Sequence, residues 1–276
     1  MLQNKAMLVD LTIHQWTARK YDKKATTEVE TTYSAKNAGR FNKQLVAKSA
    51  LLLIGRKANE LRDFHYSKTL PWSDTGPRLL PSELFMEYRA GVRRLRDEFN
   101  ALVSLFVKDY PNLIADAQRH LGQLFNQADY PPVSEMYSRF YVGWDITPVP
   151  SGSDFRVDMA DYERAEIQQD IEQRMAERQS RATRECYVRV KEVLERMKKQ
   201  CVESNTRVTD AVVSDAHEIA VTLDKLNITG DPELTRLGRE MREGLLVGAE
   251  TLRTDTHIRK EVGDRASELL NSVTWN

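Results

Sequence analysis

From Met159 to Asn205 the chain contains no Gly and no Pro, and strong helix formers fill the whole stretch. Apolar residues at Ile167, Ile171, Met175, Ala182, Cys186, Val190, Val193 and Met197 recur mostly three or four apart. That spacing keeps one narrow seam on one side of a helix and leaves Glu, Gln, Arg and Lys around the rest. A single helix of roughly 45 residues is expected, about 70 Å long and longer than a compact domain is wide. Such a helix must project or pair along its length. Ile167, Ile171, Met175, Val190 and Met197 are therefore a candidate seam for self-association.

The remaining segments read as elements that could pack on this helix. Ala6 to Trp16 alternates like a strand, with Val9, Leu11 and Ile13 on an apolar face. Asp22 is placed as an N-cap for a short helix towards Tyr33, which Asn37-Ala-Gly39 breaks. A second helix is predicted from Phe41 to about Tyr66, and Leu70 to Arg78, with two prolines and a glycine, reads as a surface loop. Pro81-Ser82 opens a third helix whose wide apolar face runs from Leu84 through Tyr88, Val92, Leu95 and Phe99 to Phe106. Pro111 is expected to kink or end it, with a shorter helix continuing from Asn112 to about Asn126.

Phe140 to Val149 and Phe155 to Met159 read as two strands about the turn Pro150 to Asp154. With the N-terminal strand they would make a three-stranded sheet at the root of the long helix. Asp158 and Asp161 suit the start of that helix, where carboxylates cap and complement the dipole. Helical pattern resumes from Val208 to Leu226. Asn227-Ile-Thr-Gly-Asp-Pro232 then stops one helix and caps the next, and two helices follow, at 232–251 and 255–273.

Acid and base balance at 41 residues each, but unevenly along the chain. Residues 1–70 hold 13 Lys and Arg against 6 Asp and Glu, an excess of +7, and the remainder carries the matching deficit. Lys23, Lys24, Arg40 and Lys43 in this basic front, with Arg89 and Arg93 on the third helix, are candidate phosphate contacts. Cys186 and Cys201 lie fifteen residues apart on one helix, about 22 Å, too far for a disulfide. Buried seam thiols and a reducing cytoplasm are the expectation. No apolar run reaches the ~20 residues of a membrane span, and the N-terminus lacks a signal-peptide core.

Motifs that carry chemistry are lacking. His217-Glu218 starts like a zinc motif, but Val221 stands where the second His is needed. Asp224 to Thr235 has Leu226, Ile228 and Thr235 at the third, fifth and twelfth positions of a calcium loop, and none of them can serve as a side-chain carboxylate ligand. No nucleophile elbow, dinucleotide fingerprint or nucleotide loop occurs. No catalytic residue, cofactor or metal is assigned, and a non-enzymatic role is expected.

Three stretches carry a resemblance. They are Arg139-Phe-Tyr-Val through Pro148-Val-Pro-Ser-Gly-Ser-Asp-Phe-Arg-Val-Asp158, Leu226-Asn-Ile-Thr-Gly-Asp-Pro-Glu-Leu234, and Leu252-Arg-Thr-Asp near Arg259-Lys-Glu-Val262. Together they resemble a family of bacterial and phage proteins of unknown function, well over roughly 130–275 and more loosely before. Its members often sit near genes for a MoxR/CobS-like AAA+ ATPase and a von Willebrand A-type, CobT-like protein. The resemblance implies a phage origin, a host cytoplasmic setting and work shared with an ATPase. It brings no catalytic residues.

The expected fold is mainly α: an elongated antiparallel helical bundle or coiled coil with a small three-stranded antiparallel sheet. A strand and helical bundle would occupy 1–130, and a hairpin, the long helix and C-terminal helices 131–276, as one continuous unit. The leading functional expectation is an interaction or assembly protein that self-associates through its long helix and adapts an AAA+ ATPase. The alternatives are a nucleic-acid-binding accessory of phage replication or recombination, and an inhibitor of a host defence enzyme.

Overall fold

The computed structural model describes residues 2–150, 161–203, 206–273 and 275, and it is mainly α-helical with a small antiparallel sheet. Strand β1 (Ala6–His14) leads to β2 (Arg19–Tyr21), and Asp22 then caps α1 (Lys23–Thr32). The Asp22 carboxylate accepts the Ala25 N–H at 3.0 Å, satisfying one of the donors a helix start leaves open. Strand β3 (Asn42–Gln44) pairs antiparallel with β2, with Tyr21 opposite Asn42. The helix expected from Phe41 therefore begins later, as α2 (Lys48–Lys68). Leu45 and Val46 are buried, but they enter the core from the bend after β3, where the Leu45 N–H donates to the Ala18 carbonyl at 2.7 Å.

The expected surface loop at 70–78 is instead a hairpin, β4 (Leu70–Pro71) and β5 (Arg78–Pro81). Leu70 and its partner Leu79 are fully buried, and Trp72 is only 4% exposed. Pro71 is tolerated because β4 is an edge strand. Helix α3 (Phe85–Leu121) continues through Pro111, where a kink or an end was expected, so it does not end there. Buried Val107, Tyr110 and Ala117 span the proline, and this packing outweighs one missing backbone bond. After α4 (Val133–Met136) comes β6 (Tyr141–Pro148).

Among the described residues the sheet has four strands, in the order β4-β5-β1-β6, where three were expected. Strands β1 and β6 are neighbours, as the pattern suggested. The strand expected at Phe155–Met159, its turn and the cap at Asp158 lie outside the described residues. The long helix, α5 (Asp161–Val202), is followed by α6 (Asp210–Leu226) and α7 (Pro232–Gly244). The helix expected over 232–251 is divided, since α8 (Ala249–Thr254) starts separately ahead of α9 (Thr256–Asn271). None of the described helices is long and apolar enough to cross a membrane.

The chain divides into two compact units that interleave in sequence. One comprises Met1–Asp10, Tyr66–Tyr88 and Asp145–Asn276, and the other Leu11–His65 and Arg89–Trp144. In the first, α5 packs against α9 and α6, and α6 against α7. Cys186, Val190, Leu194 and Met197 are wholly buried there, and both cysteines are buried free thiols. A Cβ on Gly263 of α9 would lie 2.8 Å from Val202 Cγ2 and 3.0 Å from Cys201 Cβ, so the two helices approach closely at that point.

The 226–234 and 252–262 motifs have structural work in this unit. Gly230 takes φ +71°, and Asn227 Oδ1 accepts the Asp231 N–H at 2.8 Å. Asp231 caps α7 through the Glu233 and Leu234 N–H groups, and the Tyr187 hydroxyl donates to the same carboxylate at 3.1 Å. Arg259 donates to the carbonyls of Gln200 and Thr206 at 2.6 Å and of Cys201 at 3.1 Å, collecting acceptors that the end of α5 leaves open. Arg253 similarly reaches the Val208 carbonyl at 2.8 Å and Asp210 at 2.9 Å.

The second unit is centred on the aromatic side chains of Trp16, Phe99, Phe106, Tyr110 and Phe140, with neighbouring ring centroids 5.7–6.5 Å apart. Gly91 lets α3 pass the Phe64 ring of α2, since a Cβ there would fall 2.2 Å from that ring.

Candidate functional site

The uneven charge of the sequence follows the two units. The second holds 18 Lys and Arg against 11 Asp and Glu, an excess of +7, and the first holds 23 against 30. The excess is concentrated in one segment, from β2 through α1 to the start of α2. Arg19 and Lys20 on β2, Lys23 and Lys24 on α1, Lys36 and Arg40 in the following loop, and Lys48 are all exposed. Among the described residues none of these seven enters an ion pair. Glu28 and Glu30 are the two carboxylates of this segment outside the buried network described next.

That network gives the segment a rigid base. Lys43 is only 5% exposed, and its ammonium lies 3.1 Å from Asp22, 2.6 Å from Asp129 and 2.8 Å from the Leu124 carbonyl. Burial alone would lower the Lys43 pKa, but the hydrogen bonds to Asp129 and Asp22 outweigh it and leave the pKa raised. The Ala25 N–H, followed by Lys43, holds the Asp22 carboxyl below its ordinary value. Two residues on, the Leu45 carbonyl accepts the Tyr130 hydroxyl at 2.8 Å, and burial raises the Tyr130 pKa. Lys43 was a candidate phosphate contact. It is corrected here to an internal tie, because its ammonium is already surrounded by protein acceptors.

Above this base, the loop after α1 folds back along the helix. The Asp22 N–H donates to the Phe41 carbonyl at 2.9 Å, and the Phe41 N–H donates to Thr26 Oγ1 at 3.0 Å. Glu30 Oε1 accepts the Asn37 N–H at 2.9 Å, while Ser34 and Asn37 take φ values of +52° and +55°. Between helix and loop lies a cavity of about 330 Å³, walled by Val29, Glu30, Tyr33, Gly39, Arg40 and Phe41, with Thr26 and two alanines completing it. Tyr33 is 77% exposed, Tyr21 45% and Phe41 39%. The Arg40 guanidinium stands 5.8 Å from the Tyr21 ring centroid, within cation–π range.

Lys23 and Lys24 line a groove of α1 with Thr27, Glu28 and Thr31, while Arg40 walls the cavity with Tyr33 and Phe41, so the cations of this segment lie on more than one side of α1. Arg89 and Arg93 are exposed in the same unit but on α3. In the first unit, Val190 and Met197 of the proposed seam are buried inside the chain, so these two are not available to a second copy. Ile167, Ile171 and Met175 are half-buried, and no residue from Ala165 to Arg181 is buried.

The exposed rings of Tyr21, Tyr33 and Phe41 were not singled out from sequence. The signal was the weak periodicity of 22–33, which leaves that helix short of a core to cover and its apolar residues facing outward. Two polar atoms, Tyr110 Oη and His217 Nε2, are buried without a hydrogen-bond partner among the described residues. Burial moves the Tyr110 hydroxyl up to about 12, and neither atom opens on the cavity described above. Among the described residues no group of three or more His, Cys, Asp or Glu is arranged to hold a metal ion.

No protein-family model, curated protein or solved structure matches the chain.

Proposed function

We propose that this protein binds single-stranded nucleic acid by wrapping it on the segment made by β2, α1, the 33–41 loop and β3. The observation that carries this reading is the coexistence of seven exposed cations, without an ion-pair partner among the described residues, with three exposed aromatic rings on one braced segment. Cations alone would suit any polyanion. Exposed rings add a preference for strands whose bases are free to stack, and such stacking contributes about 1–3 kcal/mol per base. The test is fluorescence anisotropy with a labelled oligonucleotide, single-stranded and as the matching duplex. Tighter binding of the single strand, weakened by Tyr33→Ala, is expected. Equal affinity for both forms, or no binding at about 50 mM salt, would overturn the reading.

A second reading, assembly through α5 in an elongated bundle, is supported by the first half of that helix. Ile167, Ile171 and Met175 recur every four residues on a stretch where nothing is buried. A second copy, or the AAA+ ATPase suggested by the family resemblance, would cover this seam. Sedimentation of the native chain and of Ile171→Asp tests it. A native monomer that recovers no ATPase from its host cell would remove this reading.

A further inference from the structure

Resting on the nucleic-acid reading, we infer that the cavity between α1 and the 33–41 loop receives one unstacked guanine of the bound strand. Three observations meet there. The cavity of about 330 Å³ falls within the range of small-ligand sites and is open at the exposed Tyr33 ring. Its walls at Val29, Tyr33 and Phe41 offer apolar surface to the face of a base. On the α1 side its polar groups are Thr26 Oγ1, already bonded to the Phe41 N–H and the Asp22 carbonyl, and the Glu30 carboxylate, of which Oε1 accepts the Asn37 N–H.

A carboxylate only accepts hydrogen bonds, so it selects a base edge that donates. Guanine presents two adjacent donors, N1–H and the N2 amino group. Adenine and cytosine present one amino group beside a ring acceptor, and uracil presents one N–H between two carbonyls that a carboxylate repels. Arg40 at the cavity mouth and Lys36 in the same loop supply positive charge for the flanking phosphates. The loop is held open around the cavity by its own bonds, from Glu30 to Asn37 and from Thr26 to Phe41, so the pocket exists before a base arrives.

The experiment uses oligouridine strands carrying one central guanosine, adenosine or cytidine, titrated against the full chain by anisotropy at several salt concentrations. The guanosine strand should bind about tenfold more tightly than the others, the discrimination of one good two-donor contact. Glu30→Gln keeps an oxygen for the Asn37 N–H but adds a donor, and should erase that preference without changing the salt dependence. Equal binding of all strands, with a steep salt dependence and no effect of Glu30→Gln, would overturn the pocket while leaving the cationic segment intact. Failure of every strand to bind would overturn both.

Discussion

Replacing Lys23, Lys24 and Arg40 together with Gln removes three of the seven exposed cations around α1 while leaving the brace beneath them untouched. Each phosphate neutralised on a single strand adds about −0.7 to the slope of log K against log salt. Seven engaged cations give a slope of about −5 as an upper bound, and four give about −3. From about 50 to 200 mM salt, affinity of the native chain should fall roughly 1,000-fold and that of the variant roughly 60-fold. Anisotropy with one labelled strand across that range measures both slopes. Because none of the three side chains has an ion-pair partner among the described residues, thermal melting should stay unchanged. Lys43→Gln provides the contrast. It strips a buried ammonium from two carboxylates and a carbonyl, and should destabilise the second unit by about 3 kcal/mol or more. A triple variant that melts like the native chain and keeps its slope would refute the assignment of these cations to phosphate contact.

Gly91→Ala would drive a methyl into the Phe64 ring, and a loss of about 1–3 kcal/mol in urea unfolding is expected. A neutral result would mean that α2 and α3 separate easily. Arg259→Met removes the charged donor from the carbonyls of Gln200, Cys201 and Thr206. Allowing for its partial exposure, this should cost about 2–3 kcal/mol and speed amide exchange at Thr206 to Thr209, read by mass spectrometry. Acid should destabilise the first unit. Hydrogen bonding to Lys68 lowers the Glu87 pKa, and hydrogen bonding to Arg236 lowers that of Glu233, each from an ordinary 4.5. The folded state then binds fewer protons than the unfolded one, so this stabilisation is present above 4.5 and is lost as pH falls through the lowered folded values. Urea midpoints that stay constant from about pH 6 to 3 would contradict it.

Much of the helical frame was legible in local chemistry. Asp22 and Asp231 each cap the helix assigned to them, and Gly230 with Pro232 stops one helix and starts the next where expected. These signals are local because a cap reaches only two or three residues. The misjudged segments are those where distant packing decides. Pro111 is a helix breaker by propensity, but the buried side chains of Val107, Tyr110 and Ala117 carry α3 past it. Pro71 and Gly76 mark a loop by composition, yet Leu70, Trp72 and Leu79 draw the flanks of that loop into the core as paired strands. The division into interleaved units was likewise out of reach, since α2, α3, β1 and β6 each carry residues of both.

The candidate segment shows why charge in a sequence ranks regions better than residues. The basic excess near the N-terminus was visible as a count, and Lys23, Lys24 and Arg40 do stand exposed, without an ion-pair partner among the described residues. Lys43 has the same composition around it and the opposite fate. As its own strand is antiparallel to β2, it stands opposite Lys20, yet Lys20 is exposed while Lys43 is buried against Asp22 and Asp129. The partner that decides this, Asp129, is 86 positions away in the chain, beyond any local pattern. Asp129, with Asp22, is therefore what turns Lys43 inward and makes it a structural lysine. By the same logic the aromatic residues divide: Trp16, Phe106 and Tyr110 find one another and become core, while Tyr21, Tyr33 and Phe41 lie on short elements with too little covering them and stay at the surface. One cation of the basic segment tied inward and seven left outward, with three uncovered rings on the same segment, are the features on which the proposed binding of a polyanion with flat, stackable groups rests.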